Sequence, residues 1–582
     1  MIGVIAVTAA GRRGAERITA ALPDATGYDG PAAAALPRAF GECDAIVCFL
    51  AAGAVVRLLA PLLAAASAGQ LAAASAGQPA AGKHEGPAVI CVDEAHRYAI
   101  PLLGGHAAGA NDLARTVAAI LDAEPVITTA TDATGVTPLD EIEGFAAEGD
   151  VAAVTRAILD GERVTLTMDQ TWPLPAFPPN VVPAPHPEPG IAAIIVTERV
   201  LPASEERRVL LRPPSLTVGM GASRGVPAAE AGELIDRVLG EHGVSERAVM
   251  AMATAELKAD EHGLRAAASE RGWEFVTYPA AELAAVPVPN PSEVVRAVTG
   301  SPSVAEAAAL LHAGPGSSLV AVKHVSAHAT AAIARKRPRG RLAVIGIGPG
   351  ARDLLTPRAV AELRRSSVVV GLDQYIEQID DLIAPGTRIL ASGLGSEEER
   401  AHAAATQARA GHAVALIGSG DAGVFAMASP ALQDYDGSYD VTGVPGVTAA
   451  LAAGSVLGAP LGHDHAMISL SDLHTPWDVI ERRIQAAAEA DLVTCFYNPR
   501  SARRTWQLPR ALELLGKHRP PETPAGWVRD ATRDGQSHGV TTLASFDPAV
   551  IDMRTLVIVG SSRTRLVAGL MITPREYRWA QQ

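Results

Sequence analysis

Two glycine clusters carry the first chemistry legible in this chain. Gly346, Gly348 and Gly350 close one short apolar run, and Gly418, Ser419, Gly420 and Asp421 close another at 412–433. Small residues at the carboxyl end of a strand let the backbone approach a ligand closely, and Asp421 adds a carboxylate. That is nucleotide or cofactor chemistry. A different set, in the first half, offers groups for acid–base work. Gly104-Gly105-His106 presents an imidazole as base or ligand, followed by Asn111 and Asp112 at a helix start, although a buried structural histidine has the same local sequence. Thr128, Thr129, Thr131 and Asp132 offer hydroxyls and a carboxylate, or an N-cap cluster. In AELKADE, Lys258 is placed to polarise a carbonyl and Glu256 to activate water beside Asp260 and Glu261. These residues, and Lys323, equally suit a surface ion-pair network.

The first glycine cluster formally satisfies G-x-G-x-x-G/A through Ala351, and Asp373 stands where a dinucleotide fold keeps its acidic ribose ligand. In that fold the glycines themselves open the helix. Here the helix start is signalled later, by Thr356 as N-cap and Pro357 at the first helical position. The pyrophosphate site is therefore not expected.

The elements that must position these residues follow from pattern and composition. At 582 residues the chain is too long for one domain. Apolar residues reach 48% with only 4% aromatic, which suits multidomain α/β architecture with parallel sheets covered by helices. Valine- and isoleucine-rich runs alternate with helical stretches, such as 107–121, over residues 1–135. Within them 63–78 is a tandem eight-residue duplication, expected as an insertion in a surface loop. A proline-rich region at 136–213 is expected to be a linker or small irregular domain. The α/β rhythm resumes over 214–335, and a last domain fills 336–582 behind the basic run Arg335 to Arg341, read as a solvated linker.

A net charge of -14 argues against nucleic acid as partner. Four scattered cysteines make neither a disulfide framework nor a zinc site, no metal is expected, and a reducing cytoplasm fits. The start MIGVIAV reads as a first strand, since its arginines follow the apolar run, and no run is long enough to expect a membrane span.

The stretches GIGPGARDLLTPRA, GSGDAGVFAMA, VPGVTAALAAGSVLGAPLGHD, ISLSDLHTPWDVIERR and FYNPRSARR resemble, in order and spacing, the tetrapyrrole methyltransferases. Within them they are most similar to the precorrin-3B C17-methyltransferases of cobalamin synthesis. The resemblance covers about 340–582 and implies a two-lobed class III methyltransferase that holds S-adenosylmethionine between its lobes. It implies cofactor contacts at Pro349, Ser419, Gly420, Asp421, Val424, Thr448, Ala449, Asn498 and Ala531. It also implies a tetrapyrrole substrate and a homodimer through this domain. Two positions depart from the branch: His474 stands for its usual leucine and His465 for its usual aromatic. Methylation coupled to ring contraction requires positioning of the donor and a base or a substrate carboxylate; Asp373, Tyr375 and His463 are candidates for the base, and each also suits a purely structural role. Arg500, Arg503 and Arg504 suit the substrate's carboxylates, and also suit an ordinary basic helix start.

AAGAVVRLLAPLL, PLLGGHAAGANDLARTVA and PVITTATD resemble the N-terminal domain of the cobalamin synthesis G (CbiG) family, and AMATAELKADEHGL through VAVKHVSAHATAAIAR its C-terminal domain. That resemblance implies hydrolysis of cobalt-precorrin-5A, opening a δ-lactone and releasing acetaldehyde. The duplicated segment replaces the family's short basic loop. A first half that binds or hands over tetrapyrrole without catalysis is the competing expectation. Methylation of ribosomal RNA or protein is disfavoured by the charge and by SDLHTPW and FYNPRS, and nicotinamide chemistry ranks below it.

Overall fold

A computed structural model describes residues 1–75, 86–105, 108–202 and 207–575. The candidate base His106 lies outside the described residues, as does the side chain of Asp132. The chain divides into two compact units, Met1–Asp169 with Pro178–Arg337, and Gln170–Phe177 with Pro338–Gln582.

Among the described residues the first unit holds three sheets. The first runs in the order Ala25–Gly27, Ile2–Ala6, Ala45–Phe49, Ala88–Val92, Tyr98–Leu103, Glu124–Pro125, parallel except between the fourth and fifth members. Alternation along each strand divides its apolar residues between two cores. Val4, Val47, Phe49, Ile90 and Val92 face one, while Ile5, Ile46, Cys48, Val89 and Cys91 face the other. A sheet buried on both faces is why the strands read as continuous Val/Ile/Ala runs. The duplicated segment departs from its expected loop: the helix Ala52–Ser75 runs through its first copy and into the second, as alanine and leucine favour.

The proline-rich region is also more regular than expected. It forms a second sheet, Ala146–Gly149, Arg208–Arg212, Ala192–Val196, Val164–Met168, Val181–Pro183, parallel apart from its first member. Most of its prolines fall in the connections that follow Met168 and Pro183 and on the edge strand Val181–Pro183, where a missing N–H is tolerated. The third sheet has the order Glu274–Tyr278, Val249–Ala255, Leu216–Ala222, Ala329–Arg335, Ser318–Val325. Its first three strands are parallel and the last two form an antiparallel hairpin.

The second unit has a fully parallel sheet, Arg388–Ser392, Val368–Leu372, Ala413–Gly418, Arg341–Gly346, Asp440–Val444. Beyond it lies a mixed sheet, His465–Ser469, Val493–Tyr497, Thr555–Val559, Pro524–Arg529, Ser537–Thr542. Thr356 caps its helix as expected, its side chain accepting from Ala359 N ahead of Pro357–Arg364.

The basic run is not a free solvated linker. Arg335 pairs with Glu198, Arg339 with Asp440 at 2.9 Å, and Arg341 with the buried Glu362. Each is thereby tied within its own unit, and the pairing offsets the cost of partly burying a guanidinium. All four cysteines are free and buried. Among the described residues no helix is long and apolar enough to cross a membrane.

Candidate functional site

The carboxyl ends of the parallel strands in the second unit converge on a cluster of loops. Gly348 and Gly420 exchange backbone hydrogen bonds of 3.0 and 2.7 Å, which ties the two glycine loops edge to edge. A Cβ on Gly446 would stand 2.1 Å from Gly420 O and 2.7 Å from Gly346 O. The glycines at 346 and 446 therefore serve loop-to-loop packing. Gly420 answers a different demand, a left-handed φ of +67°.

Asp421 organises this cluster. One carboxylate oxygen accepts from Gly423 N at 2.8 Å, and the other from Gly446 N at 3.0 Å. Tyr497, at the end of its strand, reaches across to the helix Ala449–Leu457. Its hydroxyl shares a 2.6 Å bond with Thr448 Oγ1 and accepts from Ala450 N at 3.0 Å. Burial pushes this phenol's pKa up, against the hydrogen bonds from Thr448 and Ala450, which lower it. The Phe425 ring packs 5.1 Å from that of Tyr497 while remaining 54% exposed.

Four of the described non-glycine residues with positive φ fall here: Phe425, Asn498, Asp530 and Thr532. Such conformations cost free energy, and their concentration marks a built site. Asn498 is held by a 3.1 Å bond from its Nδ2 to Ser469 Oγ. Thr532 Oγ1 accepts from Ala351 N at 3.3 Å. The positions Pro349, Ser419, Gly420, Asp421, Val424, Thr448, Ala449, Asn498 and Ala531 thus all lie on these loops or at their junctions with the strands and helix they flank. Arg533 joins them unforeseen. Its Nε donates to Pro349 O at 2.6 Å and an Nη to Ser419 Oγ at 3.1 Å.

The candidate bases scatter. Asp373 is exposed at the start of the helix Asp373–Glu377, on the same carboxyl edge of the parallel sheet as the glycine loops. Tyr375 is half-buried against the core on one face of that sheet. His463 precedes the strand His465–Ser469, which runs parallel to Val493–Tyr497 with His465 opposite Val493. The five steps from Val493 to Asn498 span roughly 16 Å at about 3.3 Å per residue, so His463, which precedes the strand, stands at the opposite edge from Asn498. Its Nδ1 accepts from Asp464 N at 2.8 Å. The tertiary structure removes His463 from the loop cluster because parallel pairing sends the two ends of a strand to opposite sides.

The arginines also divide. Arg500 donates to Pro548 O at 2.8 Å, and Arg504 to Asn498 O at 3.1 Å and Ser471 Oγ at 3.2 Å, so Arg504 braces the FYNP turn. Arg503 is exposed and has no partner among the described residues.

In the first unit, the turn Glu256–Lys258 ends the strand Val249–Ala255. Lys258 leans toward Glu261, at 3.8 Å, and Glu261 accepts from Gly225 N at 2.7 Å. Glu256 is exposed beside them. On the other flank of the same 223–226 loop, Glu230 accepts from Ser326 Oγ and His328 N at 2.6 Å each, and meets His328 Nδ1 at 2.9 Å. These bonds, that from Ser326 first, hold its carboxyl down at about 2. Lys323 offers its backbone N–H to the fully buried Glu306, at 3.0 Å. Asn111 Nδ2 donates to Thr129 Oγ1 at 3.0 Å. The pairing of residues 230 and 328 has no local signature, since 98 positions separate them.

Three family models match the chain. Tetrapyrrole (Corrin/Porphyrin) Methylases covers 341–547, Cobalamin synthesis G C-terminus covers 216–334, and Cobalamin synthesis G N-terminal covers 34–132. A probable cobalt-factor III C(17)-methyltransferase of Salmonella typhimurium is 47% identical over 241 residues, 40% of this chain and 99% of that protein. A precorrin-3B C(17)-methyltransferase of a Sinorhizobium species is 39% identical over 42% of this chain and 99% of its own length. The crystal structure of the methyltransferase CobJ covers 40% of this chain and all of its own, at 38% identity and a TM-score of 0.39. Its second half makes the chain a member of the tetrapyrrole methylases, here joined to cobalamin synthesis G domains.

Proposed function

We propose that residues 336–582 methylate C17 of a precorrin-3B or cobalt-factor III macrocycle from S-adenosylmethionine, with contraction of the ring toward precorrin-4. The observation that carries this is the 47% identity to a C17-methyltransferase over 99% of that relative's length. Residues 1–135, 136–213 and 214–335 then act as the N-terminal, middle and C-terminal domains of a cobalt-precorrin-5A hydrolase.

The loop cluster suits that cofactor on two counts. Small residues beside the exposed Phe425 ring suit the packing of a flat base, and the half-buried cation of Arg533 suits the carboxylate of an amino acid. S-adenosylmethionine supplies an activated methyl, so no side chain is needed to polarise it. The chain's contribution is orientation: Asp421 fixes two loops, Tyr497 fixes the Thr448 turn, and Arg504 fixes the Asn498 turn. Asp373, on the carboxyl edge, is the better placed candidate base for contraction. Arg503 and Arg500 are left to meet substrate carboxylates. The same reading carries a homodimer through residues 336–582, to be read by light scattering.

In the first half, Glu256, Lys258 and His106 are the candidates for activating water and polarising the lactone carbonyl. A second reading makes this half a binding module, and it draws on Lys258 leaning toward Glu261 rather than standing free. Mass spectrometry of the full chain with S-adenosylmethionine and precorrin-3B or cobalt-factor III tests the first activity: a gain of one methyl is expected, and none on any early precorrin overturns it. Acetaldehyde from cobalt-precorrin-5A is expected of the hydrolase, and its absence beside active methylation favours the binding module.

A further inference from the structure

Arg533 enters the loop cluster from the connection between the strands Pro524–Arg529 and Ser537–Thr542. It bonds both glycine loops at once, through Pro349 O and Ser419 Oγ. Gly350 makes room for it: a Cβ there would lie 2.4 Å from Arg533 Cγ, and the glycine adopts φ +142°. The backbone that aims it is left-handed at Asp530 and Thr532, with the β-branched Thr532 at φ +67°. A costly backbone held in place by surrounding contacts argues that the aim is built.

Among the described residues Arg533 makes no ion pair. Other arginines of the same unit do: Arg529 with Asp552, Arg554 with Asp530, Arg510 with Glu481 and Arg519 with Asp491. Two neutral acceptors satisfy only part of its five N–H donors, which leaves a half-buried fork whose charge is unmatched. A carboxylate is the group that such a fork binds bidentately.

We propose that Arg533 receives the α-carboxylate of the methyl donor and so recognises the amino-acid end of S-adenosylmethionine. This rests on the cofactor reading above. The donor is favoured over the macrocycle as the source of the carboxylate because both neutral partners of Arg533, Pro349 and Ser419, are candidate cofactor contacts.

The test is isothermal titration of the full chain with S-adenosylhomocysteine and with 5′-methylthioadenosine, which lacks the amino acid. Wild type, Arg533→Gln and Arg533→Lys are compared after their thermal midpoints confirm folding. Arg533→Gln is expected to weaken S-adenosylhomocysteine about 10- to 100-fold, the range of a charge-assisted hydrogen bond, and to leave 5′-methylthioadenosine unchanged. Arg533→Lys is expected to recover part of the loss. Equal losses for both ligands would mean that Arg533 only braces the loops, and would overturn the proposal. Unchanged binding with a raised KM for the tetrapyrrole would assign the carboxylate to the macrocycle and equally overturn it. A wild-type chain that binds neither ligand would sink the cofactor reading itself.

Discussion

Gly446 and Tyr497 are the residues on which the loop cluster depends most directly. Gly446→Ala would drive a Cβ against two backbone carbonyls that have no room to yield, and is expected to cost about 1–3 kcal/mol, read by denaturant unfolding. Tyr497→Phe strands Thr448 Oγ1 and Ala450 N, an expected loss of about 1–3 kcal/mol, with weaker S-adenosylhomocysteine binding. An unchanged midpoint in the Phe variant would show that water replaces the phenol. Sequence reading located the glycine loops and the Thr356 cap because each has a local signature of glycine, proline or capping residue, and it located FYNP through the family resemblance. Arg533 has none, and its partner Pro349 lies 184 positions away.

Elements that pair over long distances carry the next scale of expectation. The turn of the hairpin Ser318–Val325 and Ala329–Arg335 is fastened to the helix Ala228–Glu241 through Glu230. The hydrogen bonds depress the Glu230 pKa from 4.5 to about 2, so their stabilisation is fully present above pH 4.5 and is lost as pH falls through about 2. Glu230→Gln should therefore lower the thermal midpoint at pH 6, and the gap to wild type should close between pH 4.5 and 2. A gap independent of pH would mean that charge plays no part in the fastening. Strand and helix positions followed from apolar runs and caps, yet the proline-rich region concealed a sheet. Its prolines sit between strands and on an edge, which composition does not distinguish from a linker.

At the scale of the molecule, the candidate residues of the two proposed activities belong to two separate compact units. Residues without shared partners act additively. Arg533→Gln should therefore leave acetaldehyde release from cobalt-precorrin-5A at the wild-type rate, while Lys258→Ala lowers that release and spares methyl transfer. Coupled losses in both assays would show that the halves work on one another.

Alternating apolar runs and caps determined by themselves that the chain is α/β, and its ordered motifs resembled the tetrapyrrole methylases in the second half and cobalamin synthesis G domains in the first. These signals are local, or are strings of local signals in fixed order. Only the tertiary structure decided that His463 stands at the edge of its sheet away from Asn498, that Arg335, Arg339 and Arg341 of the basic run are paired, and that Arg533 spans both glycine loops. Each of those depends on which distant strands lie side by side and in which direction they run, and that is settled by packing the whole sheet.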